Sequence, residues 1–297
     1  MVPLEESRHV AQEPRPVAEL GDLAMRAAGA EAADGARVWV AVIDARDARD
    51  PRMGSYLGDQ QVAAGSLANL ALALTAIDQT RTGELALDGA LRARLRAVLA
   101  DADANAANAL LDLICNTAPG PELEGADFTA FDYKRRTVVR HMRRIGLNYL
   151  WVVGKQYGDG SAPEGIEAQF LGPATDGARE RDNRVTADDT ARLLFLLWRA
   201  AAVDRGACEE MLAAIRRDGA SQTLFSAALP AGVDLYSRDA VSESIAHDAG
   251  IFVGEGDGAV IIVVASTGGG KNLPAAVAKQ ILAELEFKGR APVLPLP

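Results

Sequence analysis

Ser66 begins a strongly apolar helical stretch, Ser66 to Arg81, and its hydroxyl is a candidate nucleophile toward a carbonyl. A serine hydroxyl becomes a nucleophile only when a neighbouring base takes its proton. On a helix, the side chain three residues later lies one turn away on the same face. That side chain is Asn69, whose carboxamide has no titratable lone pair near neutral pH. The sequence therefore predicts a serine that lacks the usual activating base.

A second group of polar residues lies in the long stretch from Gly154 to Arg184, which is punctuated by Gly and Pro. A loop of this length inside a compact domain is uncommon and usually borders a site. Lys155, Gln156 and Tyr157 directly follow an apolar segment, so we expect them to reach a cleft, with Lys155 as a candidate catalytic residue. A solvated loop is the alternative. Three carboxylates of this stretch are expected to lie at the surface: Glu164, Glu167 and Glu180.

The elements that must position these residues form an α/β pattern. Arg37 to Asp44 and Ala259 to Ala265 are β-branched and apolar, as buried strands should be. The helix from Ser66 is apolar on nearly every face, which predicts burial in the centre of the molecule. Further strands are expected at 55–61, 233–236 and 251–253, and further helices at 16–33, 87–113, 131–145, 187–198, 208–217 and 273–287.

Strands at both ends of the chain with helices between them indicate a sheet domain with a helical insertion. We therefore divide the chain into an N-terminal extension with the first helix (1–35), a first part of the α/β subdomain (36–62), a helical subdomain (63–222) and a second part of the α/β subdomain (223–297).

Composition argues against several classes of function. The net charge of −10 and the pI near 4.9 argue against a nucleic-acid partner, and no window is long and apolar enough for a membrane span.

The dense basic run from Lys134 to Arg144 is interpreted as a solvated helix face. Cys115 and Cys208 are interpreted as buried thiols, and no histidine has metal-ligand spacing, so neither a metal nor a cofactor is expected. The absence of an apolar leader in 1–35 predicts a cytoplasmic protein, or a secreted one if a leader was removed.

Four features occur in the order seen in class A β-lactamases. They are the strand Val38 to Asp44, the turn with Ser66, the helix start near Asp103, and the segment His247 to Ile251 ahead of the last strand. Thr82 to Asp88 and Asn105 to Asp112 also resemble phrases of that family. The chain thus resembles class A β-lactamases and penicillin-binding-protein-like serine hydrolases, with degenerate catalytic motifs. The resemblance implies an antiparallel sheet flanked by helices, with an inserted all-helical subdomain.

The resemblance also implies a lysine three residues after the nucleophilic serine, where this chain has Asn69, and it implies where a cleft would lie. The family's S-D-N element corresponds to Ala102-Asp103-Ala104, so only the aspartate is kept, as a cleft residue or a helix cap. Its K-T-G element falls on Ser237-Arg238-Asp239-Ala240, where Arg238 keeps a positive charge. The backbone N–H groups of Ser66 and Val241 would form the oxyanion hole. The residues expected to bind a ligand in the cleft are Asn69, Asp103, Tyr236, Ser237, Arg238, Asp239 and Val241.

Two functional hypotheses follow. Because members of a catalytic unit act together, their joint loss favours a pseudoenzyme that does not hydrolyse β-lactams and whose cleft binds a small molecule or a partner. The alternative is an enzyme of specialised metabolism, a hydrolase, acyltransferase or cyclase, that reuses the cleft through Ser66. The many polar groups on the cleft strand motivate the second hypothesis. It gains if they point into an open pocket, and the pseudoenzyme gains if they pair with one another.

Overall fold

The computed structural model describes residues 13–32, 35–157, 162–175, 178–179, 181–218 and 222–290. Within these ranges the strands are β1 (Arg15–Pro16), β2 (Arg37–Ala45), β3 (Arg52–Tyr56), β4 (Val62–Ala63), β5 (Ala174–Thr175), β6 (Ala178–Arg179), β7 (Arg184–Val185), β8 (Arg216–Arg217), β9 (Asp234–Val241), β10 (Ala246–Val253) and β11 (Ala259–Thr267). The α-helices are α1 (Ala18–Glu31), α2 (Ala68–Arg81), α3 (Gly89–Arg96), α4 (Ala104–Cys115), α5 (Gly125–Arg135), α6 (Thr137–Arg144), α7 (Gly165–Leu171), α8 (Ala187–Trp198), α9 (Arg205–Ile215) and α10 (Leu273–Glu284).

One seven-stranded sheet organises the molecule, in the order β1-β3-β2-β11-β10-β9-β8. All neighbours are antiparallel except β1 and β3, which are parallel. The central strands carry near-continuous apolar runs, because both faces of the sheet are covered by helices. This arrangement confirms the predicted fold class. Helices α2 to α9 all fall within residues 63–222, although β8 from the same range pairs with the sheet.

The two faces of the sheet pack against different layers. Alternate residues of β2 show this: Val40 packs with α1 and α10 in one core, and Ala41 packs with α2 and α8 in the other. Helix α2 is buried on every side, with Leu70, Leu72 and Leu74 each at most 2% exposed. This confirms the central helix expected from its all-round hydrophobicity, and it fixes Ser66, two residues before the helix, relative to the sheet.

Several element boundaries differ from the sequence prediction. The single helix expected at 87–113 is two α-helices separated by a π-helical turn, Ala97–Asp101, because Ala102 adopts a left-handed φ of 57° and Asp103 starts a new helix. The helix expected at 131–145 is likewise two helices, α5 and α6. The long loop contains α7, and the strand expected at 55–61 is β3, which begins earlier.

Two expectations about side-chain burial were tested by the structure. Cys115 and Cys208 are free and buried, as predicted. The interpretation of Lys134 to Arg144 as a solvated face was wrong for Arg135 and His141, which are 0% and 5% exposed. No helix within the described ranges is both long and apolar enough to cross a membrane.

Candidate functional site

The turn that carries Ser66 is pressed against the edge of β9. It is a short 3-10 helix, Gly65–Leu67, that runs directly into α2. Gly65 has a φ of +50°, and a Cβ at this position would lie 2.8 Å from the Cβ of Ala240 on β9. Only glycine allows this approach. The half-buried Ser66 hydroxyl donates to the backbone carbonyl of Asp239 at 2.5 Å.

The contact with Asp239 places Ser66 beside the strand segment expected to supply an oxyanion donor. In an antiparallel strand the N–H and C=O of one residue point to the same edge, and residues two apart share that edge. Asp239 and Val241 therefore present their backbone polar groups on the side of β9 where Ser66 lies. Val241 stays a predicted donor.

Asn69 is fully buried, and its carboxamide is engaged at both ends. Its Nδ2 donates to the carbonyl of Val98 at 3.1 Å, and its Oδ1 accepts from Gln156 Nε2 at 2.6 Å. The structure describes no hydrogen bond between Asn69 and Ser66. Asn69, at the position from which a base would activate Ser66, is thus hydrogen-bonded to other groups.

Gln156 contacts Asn69, which the sequence reasoning missed. Its backbone is clamped by Asn108 on α4, which accepts from the Gln156 N–H at 2.7 Å and donates to its carbonyl at 2.8 Å. Two features of the sequence could have indicated this contact. Asn108 lies in the segment Asn105 to Asp112 that resembles the family, and Gln156 lies just after an apolar segment. The loop thus delivers a neutral amide to Asn69.

Asp103 acts as a helix cap. Its Oδ1 accepts from the N–H groups of Asn105 and Ala106 at 2.8 and 3.0 Å, which satisfies two free donors of the first turn of α4. This is the capping alternative that the sequence left open.

Arg238 extends from β9 to the turn before Asp103. It is 2% exposed and donates from Nη1 to the carbonyl of Leu99 at 3.1 Å. Its Nε and Nη2 have no hydrogen-bond partner among the described residues. Burial lowers the pKa of Arg238 to about 10, the neighbouring Asp239 carboxylate opposes this, and the nearby Arg217 cation adds to it. The site holds a buried cation with unused donors.

The other predicted residues of β9 do not converge on one cleft. Tyr236 faces the helical layer and packs against Trp198, with ring centroids 6.1 Å apart. Ser237 is fully buried on the opposite face, with its hydroxyl 2.6 Å from that of Thr223. Asp239 lies opposite Asp248 of β10 across the strand pair. The alternation of side chains along a strand explains this separation.

Lys155 lies in a buried charged cluster. Its Nζ is 2.7 Å from Asp112 Oδ2 and 3.2 Å from Glu167 Oε1, and Arg135 pairs with the same two carboxylates. The expectation that Glu167 lies at the surface was wrong, since Glu167 is 3% exposed, because two cations compensate its burial. Glu164 is exposed, as expected, and Glu180 lies outside the described residues. The Lys155 amine contacts this cluster and makes no described contact with Ser66.

Two buried side chains of β10, His247 and Asp248, hydrogen-bond to backbone groups near the site. His247 donates from Nε2 to the carbonyl of Ala63 and accepts from the N–H of Ser266 at Nδ1, both at 3.0 Å, and burial lowers its pKa. It thereby fixes the segment leading to Ser66. Asp248 accepts from the N–H of Phe225 at 2.7 Å, and burial raises its pKa to about 7.

Among five cavities with volumes between about 100 and 510 Å³ on the described part of the chain, none is lined by Ser66, Asn69 or Arg238. One of about 390 Å³ lies nearby, between the β9–β10 hairpin and the turn before α10, with Ile245 in its wall. Tyr236 lines another of these cavities, of about 320 Å³, whereas most of the other predicted cleft residues hydrogen-bond to groups outside the predicted set.

Comparisons with known proteins agree on the fold. The β-lactamase from Sphaerobacter thermophilus DSM 20745 is 16% identical, with 90% of this chain and 98% of that one covered and a TM-score of 0.67. The protein PBP-A is 13% identical, with 93% and 99% covered and a TM-score of 0.66. The chromosome-encoded β-lactamase of Vibrio parahaemolyticus is 16% identical, with 90% and 100% covered and a TM-score of 0.64. At these identities the similarity shows the fold alone.

A search of curated proteins found no match. The model of the family described as "Beta-lactamase enzyme family" matches residues 91–285, a range that includes Asp103, Gln156 and Arg238 but not Ser66. This match spans more than half of the chain, so the protein belongs to the β-lactamase enzyme family.

Proposed function

We propose that this protein does not hydrolyse β-lactams and that its cleft region serves to bind a small molecule or a partner. The observation that carries the proposal is the hydrogen bonding of Ser66 and Asn69. Ser66 gives its single proton to a backbone carbonyl, which is a poor base, and both ends of the Asn69 carboxamide are bound elsewhere. A serine without a base is not activated for attack.

Arg238 indicates the class of ligand that suits this region. A guanidinium that is 2% exposed and has two unpartnered nitrogens carries a desolvation cost without full compensation. A small anion such as a carboxylate would satisfy those donors in a charge-assisted pair. Asp239 nearby would disfavour a highly charged anion, so a singly charged ligand fits best.

A repurposed enzyme that works through Ser66 is the second candidate. The half-buried Ser66 side chain keeps access to solvent, and its contact with Asp239 is a single hydrogen bond that a substrate could replace. A base supplied by a substrate or by a rearranged side chain would then be required. The two candidates differ in whether Ser66 forms a covalent bond.

The test is the intact mass of the protein after incubation with a penicillin and, separately, with a fluorophosphonate. We expect no adduct on the wild type. A mass increase that disappears in Ser66→Ala would refute the proposal and support the second candidate.

A companion variant, Asn69→Lys with Gln156→Glu, places an amine and a carboxylate at the two positions that now share a hydrogen bond. If only the base is missing, this variant gains the penicillin adduct and loses it again when Ser66→Ala is added. Circular dichroism and cooperative unfolding check that both variants are folded.

A further inference from the structure

A groove with aromatic walls lies on the helical side of β9, and Ser66 is not among its lining residues. It has a volume of about 320 Å³ and lies between α8, α9 and β9. Its lining includes Trp198, Tyr236 and Leu212, together with the charged residue Arg216. Trp198 and Tyr236 meet at an interplanar angle of 53°, so their rings form two inclined walls. We call this the aromatic groove.

The end of the described chain is anchored beside this groove. Arg290 donates from its backbone N–H to the carbonyl of Gly232 at 2.9 Å. Its guanidinium holds the carboxylate of Asp234 at 2.5 Å, and the other oxygen of that carboxylate is 3.1 Å from Arg216 of the aromatic groove. The Asp234 carboxylate therefore bridges Arg290 and Arg216, and the residues after Arg290 start beside the aromatic groove.

The residues that follow Arg290 have the composition of a groove-binding peptide. Residues 291–297 lie outside the described residues, and their sequence is Ala-Pro-Val-Leu-Pro-Leu-Pro. Prolines spaced in this way favour the polyproline II conformation, whose ordering costs little on binding. Peptides of this kind bind grooves lined by aromatic side chains.

We propose that the aromatic groove is a peptide-binding surface and that its occupant is residues 291–297 of the same chain. Seven residues in the polyproline II conformation span roughly 20 Å. This length is enough to cross the aromatic groove, because Arg290 is already bridged to it through Asp234. Pro292 and Pro295 would pack against Trp198 and Tyr236, and the apolar residues between them would cover Leu212. This inference does not depend on the proposed function of the Ser66 region.

The experiment uses the full chain with a photo-crosslinking amino acid, p-benzoylphenylalanine, in place of Leu294. The matched control carries it in place of Leu113, an exposed leucine on α4. After irradiation, the cross-linked peptides are mapped by mass spectrometry in a mixture of isotopically heavy and light protein. We expect the Leu294 probe to cross-link within one chain to α8, α9 or β9 segments that line the groove, and the Leu113 probe not to do so.

Replacing both Pro292 and Pro295 with Ser in the full chain should lower that cross-link yield by about fivefold or more, since the preordered backbone is lost. Trp198→Ala should have the same effect, with cooperative unfolding as the check that it is folded. Cross-links confined to heavy–light pairs would overturn the occupant in favour of a second copy. Cross-links elsewhere on the chain, or none at all, would overturn the proposal itself.

Discussion

Asp248→Asn is expected to stabilise the protein at alkaline pH and to have little effect at acid pH. Asp248 is fully buried on β10, where Oδ2 accepts from the N–H of Phe225 and Oδ1 has no hydrogen-bond partner among the described residues. The Asp239 carboxylate faces it across the strand pair. An asparagine of the same shape keeps the bond to Phe225 and points its amide hydrogens toward Asp239.

The magnitude follows from the pKa of Asp248, which burial raises from 3.8 to about 7. Because the folded state holds this proton more tightly than the unfolded state, the group favours folding below pH 3.8, and its contribution is lost as pH rises to 7. Three pKa units at about 1.4 kcal/mol each give an upper limit of about 4 kcal/mol, constant above pH 7. An asparagine side chain at this position cannot ionise, so the variant escapes this loss.

Urea unfolding of the wild type and of Asp248→Asn at about pH 3.5, below the unfolded pKa, and at about pH 8 measures the effect. We expect nearly equal free energies of unfolding at the lower pH and a variant more stable by about 1 to 4 kcal/mol at the higher pH. His247 also titrates, with a lowered pKa that weakens folding as pH falls below 6.5, but it is present in both proteins and largely cancels in the difference. A variant that is destabilised equally at both pH values would show that the buried carboxylate is compensated, and the reasoning would be wrong.

Two further predictions concern elements next to the site. Asp103→Ala removes the cap of α4 and should lower the free energy of unfolding in urea by about 1 kcal/mol. An unchanged free energy of unfolding would mean that water or another residue caps the helix equally well. Glu167→Gln leaves the fully buried Arg135 with one carboxylate fewer and should cost about 3 kcal/mol, whereas Glu164→Gln, at an exposed position, should change stability by less than about 0.5 kcal/mol. Equal effects of the two glutamine variants would refute the structural role of the cluster.

The fold was predictable because its signals are local and strong. The apolar run of β11 and the all-round hydrophobicity of α2 can each be read from a short window, and each requires burial. The break between α3 and α4 was missed, because nothing in Ala102 announces a left-handed backbone. Its conformation is imposed by the tertiary structure around it.

The site was less predictable, because it depends on contacts between distant residues. Asn69 reveals a missing base by its type alone, but its hydrogen bond to Gln156 joins residues 87 positions apart. Lys155 was expected in the cleft because it directly follows an apolar segment. A lysine in that position gives no sign in the sequence of which side chains it pairs with. Those partners, Asp112 and Glu167, come from two helices that the sequence does not show to be neighbours.

The amide pair of Asn69 and Gln156 has a consequence for how this protein can evolve. Enzymes commonly hold their catalytic groups in arrangements that weaken the fold, so activity and stability oppose each other. The hydrogen bond between Asn69 and Gln156 joins two neutral side chains, and Asn108 holds the Gln156 backbone through contacts that do not involve the Gln156 side chain. Mutations that place charges at these two positions would therefore lower stability from the first step while leaving the loop in place. Selection for a stable fold alone would keep the neutral amide pair.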